Sequence, residues 1–316
     1  MKQKKQKSWL GQMLLLCVLF VAIAAVPVQA KTSDGAGKLS FTRSVKKLTA
    51  GKTYQFRVNE TEAVEWSVGN EKIASVTSNG KVKAKRYGKT HIYARCGAEK
   101  ISILLQVEGK KIVGIDPGHQ LRGDSSTEPN GPGSSTYKAK VAGGTRGTAT
   151  QKAEYQLTLE VANQLKTALW DQGYQVVMTR TKNDVNISNK ERALLINESG
   201  ADICVRIHAD GSVSSARGAT VLCPSSSNRY ISHLYSASKK LSETLISAYC
   251  KETGLRNRGI SYRDDLTGTN WSTVPTTLIE LGFMTNATED RYMASASGQK
   301  KMVKGMVNGI NAYFGY

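Results

Sequence analysis

The stretch KIVGIDPGH, at residues 111–119, carries the clearest structural signal in this chain. Its first half is a short apolar run with β-branched side chains, which is typical of a strand buried on both faces of a sheet. Pro117 and Gly118 then end the run, because proline lacks a backbone donor and glycine allows a tight turn. His119 therefore follows the carboxyl end of a predicted strand, and ligands of open α/β sheets bind at that edge.

Two further apolar runs end in polar side chains of the same kind. The run ICVRI, at residues 203–207, is followed by His208, and the run TTLIE, at residues 276–280, ends in Glu280. The chain has only four histidines, and two of them occupy matching strand ends. If the three strands are neighbours in one sheet, His119, His208 and Glu280 converge on one edge.

Strand and helix patterns alternate through residues 111–316. This alternation predicts an α/β domain with a mostly parallel twisted sheet flanked by helices. Strands are predicted at 111–115, 175–180, 203–207, 218–222 and 276–281, and helices at 152–172, 188–199, 229–253 and about 296–313.

Glu154 lies on the apolar face of the first predicted helix, three residues before Leu157. A carboxylate on a core face must be paired or bound to a metal, unless the first helical turn frays and leaves it in water. Glu154, His119 and His208 together offer one carboxylate and two imidazole groups. Hydrolytic zinc sites use three such protein ligands and keep a fourth position for water. Glu280 is then available as a base beside that water.

Other catalytic arrangements fit the sequence less well. The chain has no Gly-x-Ser-x-Gly motif for a serine nucleophile and no Cys-x-x-Cys pair for a thiolate zinc site. A glycosidase could use Glu154 and Glu280 as its two carboxylates, but this interpretation gives no role to the two histidines at the strand ends. The zinc hydrolase therefore remains the better interpretation of the residues.

The connection at residues 120–150 is rich in Gly, Ser, Thr and Pro. A structureless segment of this length inside a compact domain is usually functional or disordered. It begins directly after His119, so we expect it to overhang the site. Lys138, Lys140 and Arg146 either face an anionic substrate group or are solvated surface charges.

Residues 1–30 have the pattern of a secretory signal peptide. Four lysines precede an apolar core at residues 14–26, and Ala30 ends an acceptable cleavage site. The alternative is an uncleaved membrane anchor, for which the apolar run is near the short limit. We expect export with cleavage after Ala30 and no stable membrane span afterwards.

Residues 31–110 read as a small all-β sandwich, because short strand-like pieces alternate with turns that include an Asn-Gly pair. This segment carries 16 basic and 7 acidic residues. This excess of basic residues favours an anionic partner, for example a polyanionic polymer of the cell envelope. The alternative is a basic surface that is merely solvated. Nucleic acid is excluded as a partner, since no binding motif is present and the chain is predicted to leave the cytoplasm.

Four motifs and one glutamate together resemble the zinc-dependent N-acetylmuramoyl-L-alanine amidases of the amidase-3 type. They are GIDPGH at 114–119, the helix-borne Glu154, VRIHAD at 205–210, NRG at 257–259 and IELGFMTN at 279–286. The resemblance spans nearly all of 111–316. The chain departs from the usual pattern at Gln120, where the family often has glycine, and at Arg206 and Asp210, where it often has serine and asparagine.

This resemblance implies a peptidoglycan hydrolase. Zinc would be bound by His119, Glu154 and His208, and Glu280 would be the catalytic carboxylate. The bond cut would be the amide between N-acetylmuramic acid and L-alanine of the stem peptide. The alternatives are a zinc carboxypeptidase or endopeptidase acting on stem peptides, and a non-catalytic envelope-binding protein.

Three further residues are predicted to bind the substrate or to orient a ligand. Arg258 is a candidate for binding a substrate carboxylate, because its planar fork suits bidentate pairing, although a structural salt bridge fits equally. Asn286, in the last motif, is a second candidate for substrate binding. Asp116 is predicted to accept a hydrogen bond from His119 and so to orient it.

The segment at 45–107 resembles the bacterial Ig-like group 2 domain. It carries EWS at 65–67, an IASV run at 73–76 and NGKV at 79–82. This resemblance implies an envelope-facing module without chemistry. The chain is therefore predicted to be a secreted cell-wall enzyme with a signal peptide at 1–30, an Ig-like domain at 31–110 and a zinc amidase domain at 111–316.

Overall fold

The computed structural model describes residues 38–60 and 63–316. The predicted signal peptide lies outside these described residues. Residues Leu39–Tyr316 form one compact unit. Within the described part of the chain, no helix combines the length and the apolar character that crossing a bilayer requires.

The amino-terminal module is a small β-sandwich, as the sequence predicts. Its strands are β1 (Phe41–Arg43), β2 (Lys47–Thr49), β3 (Thr53–Gln55), β4 (Arg57–Val58), β5 (Val64–Val68), β6 (Ala74–Val76), β7 (Lys81–Ala84), β8 (Gly88–Cys96) and β9 (Glu99–Glu108). A four-stranded sheet in the order β2-β9-β8-β5 faces a three-stranded sheet in the order β3-β7-β6. Phe56, Ile92 and Leu105 are fully buried between them, and Trp66 packs against this core.

The remainder of the chain is an α/β domain. Its elements are β10 (Ile112–Pro117), β11 (Asp124–Pro129), β12 (Tyr137–Val141), α1 (Glu154–Asp171), β13 (Gln175–Met178), α2 (Asn189–Glu198), β14 (Ile203–Asp210), β15 (Ala219–Cys223), α3 (Tyr235–Thr253), β16 (Asn257–Tyr262), α4 (Thr267–Asn270), β17 (Thr276–Phe283), α5 (Ala287–Ala294) and α6 (Ala296–Phe314). Six strands form one sheet in the order β13-β10-β14-β17-β15-β16. Only the β15–β17 pair is antiparallel, so the mostly parallel sheet is confirmed.

Helices cover both faces of this sheet, because its buried strands are apolar on both sides. Along β14, Val205 and Ile207 point into the large core formed with α1, α3 and α6. Cys204 points to the opposite face and packs in a smaller cluster with Ile196 of α2. Helix α2 begins with a capping box, in which the backbone N–H of Glu191 donates to the Ser188 hydroxyl at 3.1 Å.

The connection between β10 and α1 is not structureless, and this part of the sequence prediction is wrong. It contains the antiparallel hairpin β11–β12. The hairpin is fastened to its surroundings, since the Trp271 indole donates to the Pro129 carbonyl at 2.9 Å and the Asn189 amide donates to the Lys140 carbonyl at 2.8 Å. Polar, turn-rich strands of this kind lack the apolar alternation from which strands are recognised.

Candidate metal centre

Three predicted ligands meet at the carboxyl edge of the central sheet. His119 Nε2 lies 3.1 Å from Glu154 Oε1, and His208 Nδ1 lies 3.0 Å from the same oxygen. The two histidine nitrogens are 3.1 Å apart. Three donors around one tetrahedral zinc ion are separated by about 3.3 Å, given metal–ligand distances of about 2.0 Å. The three atoms are therefore spaced as ligands of a single ion would be.

His119 is held in an unusual backbone conformation. Its φ is +57°, in the left-handed region that non-glycine residues seldom adopt. Arg192 donates to the His119 carbonyl at 3.0 Å, and Arg180 donates to the Gly118 carbonyl at 2.9 Å, so buried guanidinium groups secure the turn. His119 Nδ1–H donates to the Ala142 carbonyl at 2.8 Å, which leaves Nε2 free to bind a metal.

His208 lies near the end of β14, with its ring packed against Gly118. A Cβ atom at Gly118 would lie 2.3 Å from the ring Cε1, so only glycine fits there. Within the described residues, the buried Nε2 of His208 has no hydrogen-bond partner. Burial lowers the pKa of His208 to about 4, so the neutral ligand form predominates near pH 7. Packing, and not a second hydrogen bond, sets the orientation of this ring.

Glu154 is the first residue of α1 and only 3% exposed, which confirms that it faces inward. Its Oε1 accepts a hydrogen bond from the Ala209 N–H at 3.1 Å, and its Oε2 accepts one from the Thr145 N–H at 2.9 Å. Burial alone would raise the pKa of this carboxyl. The adjacent imidazole groups of His119 and His208 outweigh burial and hold the pKa of Glu154 well below its ordinary value.

Glu280 completes the site from β17. Its Cα is the register partner of His208 on the adjacent strand, and it lines the same pocket of about 600 Å³ as the three clustered side chains. Its buried Oε2 has no hydrogen-bond partner among the described residues. Burial raises the pKa of Glu280 well above its ordinary value, and the charges of Glu154 and Asp210 raise it further. A carboxylate in this environment binds a proton more readily than one in water.

Asp116 does not orient His119, and that prediction is wrong. The Asp116 carboxylate accepts hydrogen bonds from Arg192 at 3.0 Å and from Arg206 at 2.8 Å, whereas the imidazole it was expected to hold is bonded to Ala142. Asp116 lies on β10 itself, before the turn, and its side chain points to the face of the sheet that α2 covers. It neutralises buried guanidinium groups instead.

Arg258 and Asn286 lie outside the pocket that the clustered side chains form. The Arg258 guanidinium stacks over the Phe283 ring, 5.2 Å from its centroid. The Asn286 side chain caps α5 by accepting from the Thr288 N–H at 3.1 Å. Substrate binding by these two residues stays a prediction.

Several residues that build the site are not recognisable from the sequence. Gln120 is buried and accepts hydrogen bonds from the Ile187 N–H and from Arg192, which explains a glutamine at this position.

Residues 142–145, within the connection between β10 and α1, line the pocket. The predicted overhang of the site by this connection is therefore correct. The buried Arg192 of α2 has no local sequence pattern that distinguishes it from an exposed arginine.

Comparisons with known proteins agree with this geometry. Residues 113–312 match the family model described as N-acetylmuramoyl-L-alanine amidase, and residues 39–100 match the bacterial Ig-like domain of group 2. An N-acetylmuramoyl-L-alanine amidase of Mycobacterium tuberculosis is 30% identical over 207 residues, which are 64% of this chain and 86% of that protein. A probable cell wall amidase of Staphylococcus saprophyticus is 29% identical over 243 residues, covering 77% of this chain and 71% of that protein.

Solved structures give the same result for the α/β domain. The N-acetylmuramyl-L-alanine amidase of Mycobacterium smegmatis superimposes with a TM-score of 0.60 at 27% identity, covering 66% of this chain and 98% of that one. An amidase of Clostridium difficile superimposes with a TM-score of 0.54 at 29% identity, covering 66% and 98%. The family model alone matches well over half of the sequence. This chain belongs to the N-acetylmuramoyl-L-alanine amidase family of the amidase-3 type, joined to an amino-terminal bacterial Ig-like domain.

Proposed function

We propose that the chain is a secreted zinc hydrolase that cuts peptidoglycan at the amide bond between N-acetylmuramic acid and L-alanine. The observation that supports this most is the meeting of His119, Glu154 and His208 within 3.1 Å of one another. Glu280, whose buried Oε2 has no hydrogen-bond partner among the described residues, lies beside them in the same pocket. In a purely structural cluster, a buried carboxylate oxygen is expected to have a hydrogen-bond partner.

The donor set favours zinc as the ion. Two imidazole nitrogens and one carboxylate oxygen are the ligands of several hydrolytic zinc sites, and three protein ligands leave one position open. Bound there, zinc would polarise the scissile carbonyl and lower the pKa of a water ligand towards about 7. His119, Glu154 and His208 would hold the ion, and Ala142 and the Ala209 N–H would orient two of these ligands.

Glu280 performs the proton transfers in this proposal. It accepts a proton from the attacking water and then donates that proton to the leaving nitrogen, so that the amine departs uncharged. Its raised pKa suits both steps, because a carboxylate of ordinary pKa would be a weak base near neutral pH. General acid–base catalysis of this kind contributes roughly 10²–10⁴ in rate.

The proposal also assigns a role to the parts outside the catalytic domain. Residues 1–30 direct export, residues 31–110 form an Ig-like domain that attaches to anionic cell-wall polymers, and residues 111–316 carry the chemistry. The excess of basic residues in 31–110, 16 against 7 acidic ones, supports this attachment.

Sedimentation with cell walls tests the attachment, with the Glu280→Gln chain used so that the walls are not digested. Sedimentation should weaken as salt is added, and equal sedimentation at low and high salt would contradict an electrostatic attachment.

Digestion of purified peptidoglycan by the zinc-loaded chain tests the bond specificity. Mass spectrometry should find intact peptides with a free L-alanine amino terminus and glycan strands without peptide. Release of D-alanine from the ends of stem peptides would instead identify a carboxypeptidase. Internal cleavage of the peptides would identify an endopeptidase, and no release at all would indicate a non-catalytic envelope-binding protein.

A further inference from the structure

A second cavity lies directly beside the metal centre. It has a volume of about 270 Å³ and shares His119 and His208 with the larger pocket. Its other walls come from the hairpin, from α2, from the two central strands and from the segment before α4. The side chains that decide its chemistry are Lys138, Asn189, Arg206, Asp265, Leu266 and Leu278.

The two cavities differ in charge. Glu154, Asp210 and Glu280 line the larger pocket, and no lysine or arginine is among its lining residues. The second cavity is lined by Lys138 and Arg206 against the single carboxylate of Asp265. A substrate bound across the metal centre therefore meets negative charge on one side and a positive excess on the other.

The Arg206 guanidinium is fixed in place. Its Nε donates to Asp116 Oδ2 at 2.8 Å, and its Nη2 donates to Asn189 Oδ1 at 2.8 Å. It lies so close to Gly268 that a Cβ there would be 2.6 Å from the guanidinium carbon. Asp116 is shared with Arg192, so one carboxylate faces two buried cations and leaves a positive excess.

Lys138 approaches the cavity from β12. Its ammonium group donates to Asp265 Oδ2 at 3.1 Å, and its side chain is 40% exposed. Asp265 also accepts two hydrogen bonds from Arg263, both at 2.8 Å, so its charge is shared between two cations. The charge of Lys138 is thus only partly neutralised, and it can pair with an anionic ligand group.

We propose that this second cavity is the subsite for the stem peptide, and that Lys138 and Arg206 select a free carboxylate on the second residue of that peptide. The inference rests on the proposed function. In a muramoyl peptide the residue after L-alanine is an acidic D-residue, whose α-carboxylate is either free or converted to a carboxamide. Leu266 and Leu278 provide an apolar surface for the alanine methyl group, while the uncharged sugar lies on the acidic side, from which a carboxylate is repelled.

Two synthetic substrates that differ in one group test the inference. They are N-acetylmuramoyl-L-alanyl-D-glutamate γ-methylamide, with a free α-carboxylate, and the same compound with an α-carboxamide; the γ-methylamide replaces the next peptide bond in both, so only the first carries a carboxylate. The zinc-loaded full chain should cleave the carboxylate substrate with a kcat/KM about 5- to 50-fold higher, the range expected for a hydrogen-bonded charge pair that is partly solvated. Added salt should reduce this preference.

Single variants then assign the preference to the cavity. Lys138→Met should lower kcat/KM for the carboxylate substrate by about fivefold or more relative to the carboxamide substrate, so that the preference is lost. Lys140→Met is the matched control, because it lies on the same strand but lines neither cavity. Asp265→Asn, which removes the competing negative charge, should increase the preference.

The outcomes separate this inference from the proposed function. If neither substrate is cleaved, the proposed function fails. If the unchanged chain cleaves both at equal rates, the amidase activity stands and the carboxylate subsite is refuted. If Lys138→Met slows both substrates equally, Lys138 has only a structural role, which likewise refutes the assignment.

Discussion

The Ig-like module and the amidase domain bury different kinds of side chain. Across the described residues up to 110, Thr90 is the one polar side chain that is buried, and the core consists of Phe56, Ile92 and similar apolar groups. The amidase domain buries many polar and charged side chains, among them Arg192 and Glu154. The core of the sandwich is thus formed by apolar packing, whereas the interior of the amidase domain also holds the charged groups around its site. Substitutions should therefore affect stability in one part and chemistry in the other.

The largest expected effect is loss of the metal. His119→Ala and His208→Ala each remove one of three protein ligands, so we expect zinc content to fall from about one per chain to near zero and hydrolysis to fall to background. Elemental analysis of the purified variants measures this directly. His91→Ala in the sandwich and His233→Ala near α3 are the controls and should retain zinc; full zinc content in both ligand variants would refute the metal site.

Glu280→Gln should separate catalysis from metal binding. Glutamine keeps the size of the side chain but cannot accept the proton of the attacking water. We expect normal zinc content and folding, with hydrolysis of muramoyl peptide reduced by at least about a hundredfold. Steady-state kinetics with parallel zinc analysis provides the test, and a normal rate would show that another group is the base.

Arg192→Lys should weaken the metal site from a distance. Lysine keeps the positive charge but cannot reproduce the guanidinium bonds to Asp116 and to the carbonyl of the strained His119. We expect zinc affinity to fall by about 10- to 100-fold, as measured by competition with a chelator. Arg291→Lys, on the exposed side of α5, is the matched control, and an unchanged affinity in Arg192→Lys would mean that other contacts hold the turn.

Phe56→Ala should produce the converse effect in the sandwich. Removing this fully buried ring should lower the free energy of unfolding by about 3–5 kcal/mol, because a cavity remains in a core that has no polar network to rearrange. Chemical denaturation measures the loss, and kcat on a small muramoyl-peptide substrate should stay unchanged. Leu104→Ala, at an exposed position of β9, should change stability by less than about 0.5 kcal/mol. A reduced kcat in Phe56→Ala would show that the sandwich contributes to the chemistry.

The side-chain positions that the sequence predicts correctly depend on local patterns. Buried parallel strands are short apolar runs, so the residues that follow them, His119 and His208, can be assigned to one edge of a sheet. Glu154 is recognised because its helical spacing places a carboxylate on an apolar face. These inferences need no knowledge of distant contacts.

The features that were missed depend on contacts between distant segments. The two arginine partners of Asp116 come from α2 and β14, 76 and 90 residues further along the chain. The second cavity combines side chains from the hairpin, α2, β14, β17 and the segment before α4. The sequence of strand β16, NRGISY, does not predict a strand because it lacks a clear alternation of apolar and polar residues. No local pattern encodes such arrangements.

The order of the strands in the sheet has a consequence for how the site can evolve. The chain passes from β10 through α1 to β13 on one side, and then through α2 to β14 on the other side of β10. The two connecting helices therefore lie on opposite faces and diverge at the carboxyl ends of β10 and β14, which opens a crevice there. His119 follows β10 and His208 lies near the carboxyl end of β14, so the candidate metal centre occupies a topological switch point. Loops that border such a crevice can lengthen or change sequence without disturbing the sheet, so specificity for the peptide can diverge while the ligands remain fixed.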